Sequence, residues 1–332
     1  MDPELSVPSC SVSTVTCAYT QTRWDDLVAA LESIRLQTRA PDEVILVVDH
    51  NDDLLARARR TFRDVRVVAN SHSRGLSGAR NTGGEVAQGD IVAFLDDDAQ
   101  ATRTWLERLV EPFQDVQVAG VGGAARPSWP TARPLWFPPE FDWVLGCSYS
   151  GLPVKRSSVR NLMGTNMSVR RRLISSVKGF REGFGMVMLH DEGGSARSRG
   201  STCDDTEFCL RVAEANPGTI WIYEPTAIVY HRVTPYRATF RYFLSRCWLE
   251  GKGKAALAQL AGPSRALASE RAYVLRVIPR AMGAGLRDTV EQRSAGGLRR
   301  SGTLAAGIAL TSISYVANRL RTRRGGLAPR VD

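Results

Sequence analysis

The chain has 332 residues, is 43% hydrophobic and carries a formal net charge of +10 with a sequence pI near 9.7. This length and hydrophobic fraction allow one large or two modest hydrophobic cores. The positive net charge favours polyanionic partners: nucleic acid, phosphorylated substrates or an anionic membrane surface. Its six cysteines form no Cys-x-x-Cys pair, which argues against a zinc module and favours a reducing compartment. With no signal pattern and no membrane-spanning apolar run, we expect a cytoplasmic protein, either soluble or peripheral at the inner face of the membrane.

The first hundred residues alternate strand and helix patterns after a disordered lead-in at residues 1–10. Runs rich in β-formers predict strands at residues 11–18, 44–48, 65–69 and 91–95. Helices are predicted between them, at residues 53–62 and on a face formed by Leu27, Ala30, Leu31, Ile34 and Leu36. A glycine-rich segment at residues 74–84 is expected to introduce a third helix, which runs to about residue 87. The order β-α-β-α-β-α-β predicts an α/β fold with a mostly parallel sheet and helices on both faces.

Polar side chains follow three of these strands directly. Tyr19 follows the first, Asp49 the second, and Asp96, Asp97 and Asp98 the fourth. Ligands in open α/β sheets bind outside the carboxyl ends of the strands. Consecutive carboxylates gain nothing from burial, whereas Mg²⁺ commonly lies between carboxylates and the phosphates of a substrate. The pattern therefore indicates a divalent-metal and phosphate site, with a solvated turn that caps the helix at residues 102–113 as the alternative.

The remainder of the chain is less regular. We predict a strand at 116–123, a long irregular loop at 127–160, a strand-like run at 161–169, a helix opening at 170–172 and a mobile flap at 184–201. A helix at 204–214 and two short strands around Pro225, within 219–230, follow. The last third predicts helices at 240–260, 272–286 and 303–320, the last two flanked by arginines.

Four segments together resemble a known family. They are residues 12–19, 43–49, 91–98 and, most specifically, the string Gly-Leu-Ser-Gly-Ala-Arg-Asn-Thr-Gly at residues 75–83. In these the chain resembles the inverting glycosyltransferases of family 2, over roughly residues 10–250. The resemblance implies a GT-A fold with a nucleotide-sugar-binding half at 11–125, an acceptor-side half at 126–238 and a basic, helical C-terminal extension at 239–332.

The resemblance also implies a nucleotide-diphosphate sugar as donor. Ala18 and Tyr19 match the loop that packs against the base, and Asp49 matches the residue that accepts a ring N–H, as in uracil or guanine; we favour a UDP-sugar. Gly75 and Arg80 are implied to lie by the nucleotide. In the Asp-x-Asp motif, Asp96 is implied to bind ribose or metal, and Asp98 to bind Mn²⁺ or Mg²⁺. Asp97 can share either task.

Two further positions complete the site that the resemblance implies. The string Cys-Asp-Asp-Thr-Glu-Phe-Cys-Leu-Arg at residues 203–211 is similar to a family motif in which Asp205 is the general base, with Asp204 next in line. The alternative for this acidic pair is favourable interaction with a helix dipole. His231, after an apolar strand, matches a histidine that completes the metal shell or touches the diphosphate; a lone histidine is otherwise usually structural.

The resemblance thus implies transfer of a single sugar to a hydroxyl acceptor, such as a glycan, a lipid-linked sugar or a small-molecule glycoside. One alternative is a nucleotidyltransferase, which would normally have a glycine-rich phosphate loop after the first strand; residues 19–23 contain no glycine. Another is a non-catalytic basic protein that binds nucleic acid or membrane. We expect no nucleic-acid partner, because the basic C-terminal third lacks interleaved aromatic residues. Its arginines suit an anionic leaflet, or equally a solvated tail beside a core helix.

Overall fold

A computed structural model describes residues 10–190, 196–291 and 295–325. The chain forms two compact units. The first comprises residues up to Ala125 together with Pro153–Glu182 and Asp205–Tyr230, and the second comprises Arg126–Leu152, Gly183–Asp204 and the residues from His231 onward. The lead-in predicted at residues 1–10 lies, apart from Cys10, outside the described residues.

The secondary structure follows the predicted alternation of strands and helices. The strands are β1 (Val12–Ala18), β2 (Glu43–Val48), β3 (Arg66–Ala69), β4 (Ile91–Asp96), β5 (Ala99–Ala101), β6 (Val118–Ser128), β7 (Ser157–Val159), β8 (Asn166–Arg170), β9 (Gly185–His190), β10 (Ala196–Ser201) and β11 (Ile220–Arg232). The α-helices are α1 (Trp24–Arg35), α2 (Asp52–Thr61), α3 (Leu76–Val86), α4 (Trp105–Val110), α5 (Arg171–Ser176), α6 (Asp204–Ala215), α7 (Phe240–Ala261), α8 (Pro263–Ala266), α9 (Ala268–Ala272), α10 (Ile278–Glu291) and α11 (Ala295–Gly325).

The main sheet has the strand order β3-β2-β1-β4-β8-β6-β11-β5, and β7 pairs with β11. Strands β3, β2, β1 and β4 are parallel, whereas β8 runs antiparallel to both β4 and β6. Parallel neighbours need a crossover connection, and α1, α2 and α3 supply it. The predicted parallel half is therefore confirmed, and the carboxyl ends of β1, β2 and β4 meet at one edge: Cys17 lies opposite both Val47 and Asp96.

The sheet buries both of its faces. In β4, Ile91, Ala93 and Leu95 pack on one side with α1 and α2, while Val92 and Phe94 pack on the other side with α3, α5 and α6. This alternation follows from the period of two in a strand. The face predicted for α1 is buried at four of its five positions, but Leu36 is 58% exposed because the helix ends at Arg35.

Three predicted segments differ from the structure. Residues 219–230 were expected as two strands around Pro225 but form part of one strand, β11; Glu224 accepts hydrogen bonds from the backbone and hydroxyl of Thr226, so the chain passes the proline without a break. The loop expected at 127–160 contains a 3₁₀ helix, Pro139–Leu145, and β7. The glycine-rich segment is itself helix α3, because its glycines allow close packing: a Cβ on Gly83 would meet Val15 at 2.4 Å.

The second unit is mostly helical and has an aromatic core. The ring centroid of Phe243 lies 5.7 Å from that of Phe137 and 5.2 Å from that of Phe141. Ile278 of α10 and Leu304 of α11 are buried in the same cluster. The predicted flap at 184–201 is an antiparallel hairpin of β9 and β10, with residues 191–195 outside the described part. Within the described ranges, no helix combines the length and apolar character needed to cross a membrane.

Candidate active site

Asp49 holds the loop between β3 and α3. It lies directly after β2 and is 8% exposed. Its Oδ1 accepts hydrogen bonds from Asn70 Nδ2 at 2.7 Å and from His50 Nδ1 at 2.8 Å, and its Oδ2 accepts one from the backbone N–H of Gly75 at 2.9 Å. Gly75 has φ +126°, a conformation that favours glycine, and precedes the first residue of α3. The predicted base-binding carboxylate and Gly75 are therefore in direct contact.

The other residues predicted at the base lie beside Asp49. The carbonyl of Ala18, the last residue of β1, accepts a hydrogen bond from the Asp49 backbone at 2.8 Å. The carbonyl of Tyr19 accepts one from Asn51 Nδ2 at 3.0 Å. The parallel register of β1 and β2 brings these strand ends together. Ala18, Tyr19 and Asp49 thus lie together at the edge of the sheet, and their contact with a base stays a prediction.

The three aspartates after β4 have different surroundings. Asp97 and Asp98 are buried at 4% and 5% exposure, whereas the Asp96 side chain is 23% exposed. Arg23 Nη1 lies 2.9 Å from Asp97 Oδ1 and 3.1 Å from Asp98 Oδ2. Burial raises the pKa of Asp97 to about 7; the positive charge of Arg23 opposes that rise, and the Asp98 and Asp96 carboxylates add to it. The alternative of a solvated turn is wrong, since two of the three carboxylates are buried against a cation.

Asp96, Asp98 and His231 come together although 133 residues of sequence separate the last two. One ligand atom from each lies within 4.8 Å of the others, an arrangement that could hold a metal ion. His231 is the penultimate residue of β11 and is 3% exposed. Its Nδ1 lies 3.6 Å from Cys147 Sγ, a contact that helps to fix the orientation of the imidazole ring.

Arg80 is buried, at 2% exposure, rather than on the surface of its helix. Its Nη2 donates to the carbonyl of Gly164 at 2.9 Å and lies 3.6 Å from Asp96 Oδ1. A Cβ on Gly164 would lie 2.6 Å from Arg80 Nη2, so a side chain at this position would displace the guanidinium. Arg80 therefore links the Asp-x-Asp motif to the segment before β8.

Asp205 reaches the same segment from the start of α6. Its Oδ2 accepts the backbone N–H of Gly164 at 2.9 Å, and its Oδ1 accepts the backbone N–H of Thr206 at 2.6 Å. Gly164 thus connects Arg80 and Asp205 through its carbonyl and its N–H. Asp204 and Asp205 are both half-buried. Further along α6, Arg211 pairs with Glu207 at 2.8 Å, the structural role that this spacing favours.

Sequence reasoning missed several residues that hold these groups in place. Arg23 is the cation for two of the aspartates, Asn70 and His50 bind Asp49, and Cys147 contacts His231. Arg23 carried a usable signal, because it is the basic residue nearest the carboxyl end of β1. The others lie in loops, and nothing in their sequence spacing indicates their partners.

Comparison with known proteins supports one family. The sequence profile described as "Glycosyl transferase family 2" matches residues 13–177. The chain is 32% identical over 252 residues to the glucosyl-dolichyl phosphate glucuronosyltransferase of Haloferax volcanii, an alignment that covers 73% of this chain and 76% of that protein.

Two solved structures show the same fold. They are the mannosyltransferase PcManGT of Pyrobaculum calidifontis in complex with GDP-Man and Mn²⁺, at TM-score 0.55 and 18% identity, and GalNAc-T7 with UDP, GalNAc and Mn²⁺, at TM-score 0.52 and 14% identity. The similarity covers 93% of this chain and 88% of the mannosyltransferase, and 76% of this chain and 48% of GalNAc-T7. At these identities the likeness shows the fold alone.

The family match decides against the two alternatives, a nucleotidyltransferase and a non-catalytic basic protein. We conclude that this chain belongs to glycosyl transferase family 2 and is a glycosyltransferase with the GT-A fold.

Proposed function

We propose that the protein transfers a single sugar, with inversion, from a nucleotide-diphosphate sugar to a hydroxyl acceptor. The convergence of Asp96, Asp98 and His231 carries this proposal. These side chains lie at the sheet edge where Asp49 follows β2, and ligands of open α/β sheets bind outside such strand ends. A nucleotide donor whose diphosphate is bound through a metal ion at these three side chains, and whose base ring lies at Asp49, would occupy this edge of the sheet.

The donor set fits Mn²⁺ or Mg²⁺. Carboxylate oxygens suit both ions, and the imidazole nitrogen of His231 is a ligand that transition metals accept more readily than Mg²⁺ does. A bound cation would act as a Lewis acid that stabilises the charge developing on the departing nucleoside diphosphate. The two carboxylates and the imidazole would hold it, and Arg23 balances the negative charge that Asp97 and Asp98 bring to the same turn. We favour Mn²⁺ on this basis.

Asp49 would select the base. Two of its three hydrogen-bond donors are bound by Oδ1 and one by Oδ2, which leaves a lone pair on Oδ2 that can accept a ring N–H from uracil or guanine. Tyr19 would pack against the ring. The two solved structures hold UDP in one case and GDP-mannose in the other, so this fold accommodates both bases. We favour a UDP-sugar as the donor.

Asp205 would be the general base. The acceptor oxygen forms a bond to the anomeric carbon while the bond from that carbon to the diphosphate oxygen breaks, and the hydroxyl proton passes to the Asp205 carboxylate. A single displacement of this kind inverts the anomeric centre. The backbone N–H of Gly164 binds Oδ2, and the backbone N–H and hydroxyl of Thr206 bind Oδ1. These contacts fix the orientation of the carboxylate and leave a lone pair on Oδ2 for the proton. Asp204 is the alternative base.

A donor screen tests the proposal. We expect one of UDP-, GDP- and dTDP-sugars, with Mn²⁺ or Mg²⁺, to raise the melting temperature and to be turned over. Asp98→Asn is expected to abolish transfer and weaken metal-dependent nucleotide binding. Asp205→Asn is expected to abolish transfer and leave that binding intact, and Asp53→Asn, on the exposed start of α2, is the control. Normal transfer by Asp205→Asn would place the base elsewhere; nucleotide binding by Asp98→Asn at the wild-type metal dependence would refute the metal site.

For the acceptor we favour a sugar carried on a lipid phosphate at an anionic membrane surface. The Haloferax relative is named for a dolichyl-phosphate-linked glucose. In the second unit, Leu275, Leu286 and Val290 are 75%, 50% and 79% exposed. Leu286 and Val290, four residues apart, lie on one side of α10, and Leu275 lies in the π-helical turn Tyr273–Val277 that precedes it. An apolar stripe exposed to this degree is typical of helices that lie in a membrane interface.

Arginines border this stripe. Three exposed arginines lie beside these apolar residues. Arg276 follows Leu275, Arg287 follows Leu286, and Arg280 lies four residues after Arg276. Basic side chains beside an apolar stripe complement anionic headgroups, each contributing about 1 kcal/mol near the surface. The same arrangement recurs on α11, where Ile313, Val316 and Leu320 are 51–58% exposed.

Vesicle co-sedimentation tests the membrane contact. The wild type is expected to bind vesicles containing phosphatidylglycerol and not pure phosphatidylcholine vesicles. The double variant Leu286→Glu/Val290→Glu should lose this binding, and Arg60→Glu, exposed on α2, should keep it. Point variants are preferable to removal of α11, because Leu304 of that helix is part of the core. Equal binding by the double variant, or a change in its oligomeric mass by light scattering instead, would overturn the membrane assignment.

A further inference from the structure

A helix of the C-terminal extension holds the residues that immediately precede the acidic pair. Thr202 and Cys203 lie between β10 and α6, and both are 7% exposed. Thr202 Oγ1 donates to Glu250 Oε2 at 2.9 Å, and Cys203 Sγ donates to Glu250 Oε1 at 3.6 Å. Glu250 lies on α7, so this one carboxylate binds two successive side chains next to Asp204.

The backbone at this point needs such support. Cys203 has φ +79°, in the left-handed region that L side chains rarely adopt. A conformation of this kind persists only where the surroundings over-determine it, and it is frequently found at functional sites. Here it turns the chain from β10 into α6, which begins at Asp204. The direction in which Asp204 and Asp205 leave the turn therefore depends on the conformation of Cys203.

Glu250 is itself fixed by a buried cation. Lys254, one helical turn further on, is 9% exposed, and its Nζ lies 3.3 Å from Glu250 Oε1 and 2.6 Å from Glu270 Oε1. The pair with Glu270 would keep Lys254 in place if Glu250 lost its charge. Glu250 supplies an acceptor for both Thr202 and Cys203, and the carbonyl of Leu249 is a second, longer acceptor for Thr202 Oγ1, at 3.4 Å.

We propose that Glu250 is a positioning residue for the acidic pair: by accepting hydrogen bonds from Thr202 and Cys203 it fixes the left-handed turn from which Asp204 and Asp205 project. The role rests on the proposed function of these aspartates in base catalysis. Glu250 acts through the turn and touches no reacting atom. The C-terminal helices thus contribute to the chemistry as well as to the second core.

Kinetics of three variants test the role. Glu250→Ala and Thr202→Val are each expected to lower kcat at least tenfold, while KM for the donor and metal-dependent binding of the nucleoside diphosphate stay within about twofold. Glu250→Gln is expected to retain at least a third of kcat, because its amide oxygen still accepts from Thr202. Glu291→Gln, an exposed glutamate at the end of α10, is the matched control. A parallel loss of kcat and nucleotide binding, or no loss in either variant, would refute the positioning role.

Thiol labelling provides a readout that does not depend on activity. If Glu250 holds the turn, Cys203 should react with a maleimide at least tenfold faster in Glu250→Ala than in the wild type, as followed by peptide mass spectrometry, while buried Cys209 of α6 stays unreactive. Unchanged labelling of Cys203 would refute the anchoring contact, whichever residue is the general base. If labelling of Cys203 is faster in Glu250→Ala but Asp204→Asn and Asp205→Asn transfer normally, the anchoring contact holds and the proposed general base is wrong.

Discussion

Arg23 is the residue whose removal tests the charge balance of the site most directly. It places one guanidinium nitrogen 2.9 Å from Asp97 and 3.1 Å from Asp98, and both carboxylates are buried. Asp98 is also one of the three residues that could hold a metal. In Arg23→Met the hydrocarbon stem remains and the charge is lost. The variant therefore leaves two buried carboxylates without their cation.

The cost can be approximated from the distances. At about 3 Å and an effective dielectric constant of about 20, each pair has a gross attraction of about 5 kcal/mol. Part of this is offset by the desolvation of Arg23 itself, and removal of one partner from a buried pair costs about 3–5 kcal/mol. Because the Arg23 side chain is 19% exposed, we take the lower value, about 3 kcal/mol. For a unit of this size that corresponds to a fall in melting temperature of about 6 °C or more.

Metal dependence separates this effect from ordinary destabilisation. A divalent cation held by Asp96, Asp98 and His231 would supply positive charge beside the carboxylates that Arg23 had neutralised. Scanning fluorimetry with EDTA and with Mn²⁺ should therefore show a larger Mn²⁺-induced rise in melting temperature for Arg23→Met than for the wild type.

Arg35→Met is the control for this prediction. Arg35 also pairs with two carboxylates, Glu32 and Asp64, but these are 52% and 60% exposed. Exposed pairs contribute about 1 kcal/mol or less. An equal fall in melting temperature in the two variants would refute the argument from burial. An Mn²⁺ response in Arg23→Met no larger than in the wild type would refute the shared charge balance.

Two further predictions concern neighbouring contacts. His72 lies 2.8 Å from Glu182 and 2.9 Å from Glu85; burial lowers its pKa, but the two carboxylates outweigh this and raise it above the ordinary value. Below about pH 6.5 the wild type should therefore be more stable than His72→Gln. The difference in the free energy of unfolding should be about 1 kcal/mol or less, because Glu85 is exposed. It should disappear as the pH rises through the higher pKa that His72 has in the folded state. Melting temperatures at pH 5.5 and 8.5 would show it. Gly164→Ala would bring a methyl group within 2.6 Å of the Arg80 guanidinium, and we expect transfer to fall at least tenfold.

Gly164→Ala has a matched control. Gly283→Ala, on α10, adds a methyl group that meets nothing within 4 Å among the described residues, so it should leave transfer unchanged. A tenfold loss in Gly283→Ala as well would remove the argument from Arg80. A difference between wild type and His72→Gln that does not vary with pH would show that the two glutamates do not stabilise the protonated imidazole.

The strands and helices of the first hundred residues could be predicted because their patterns are local. Strand β4 alternates sides of the sheet residue by residue, and α1 buries Leu27, Ala30, Leu31 and Ile34 on one face. The prediction was wrong at the end of α1 and at Pro225. Leu36 lies beyond the end of its helix, and β11 continues past Pro225 because Glu224 accepts the hydrogen bonds of Thr226.

The sequence by itself determined the parallel α/β half, the carboxylates at its strand ends and the resemblance that connects them with His231. Hydrophobic periodicity and the positions of strand ends depend on residues that are neighbours in sequence, so they can be predicted without coordinates. Only the tertiary structure decided which partners these side chains have: Arg23 for Asp97, Asn70 for Asp49, Glu250 for the turn before Asp204. Such contacts join residues 21 to 74 positions apart, and no local pattern encodes them, because they depend on the register and packing of whole elements.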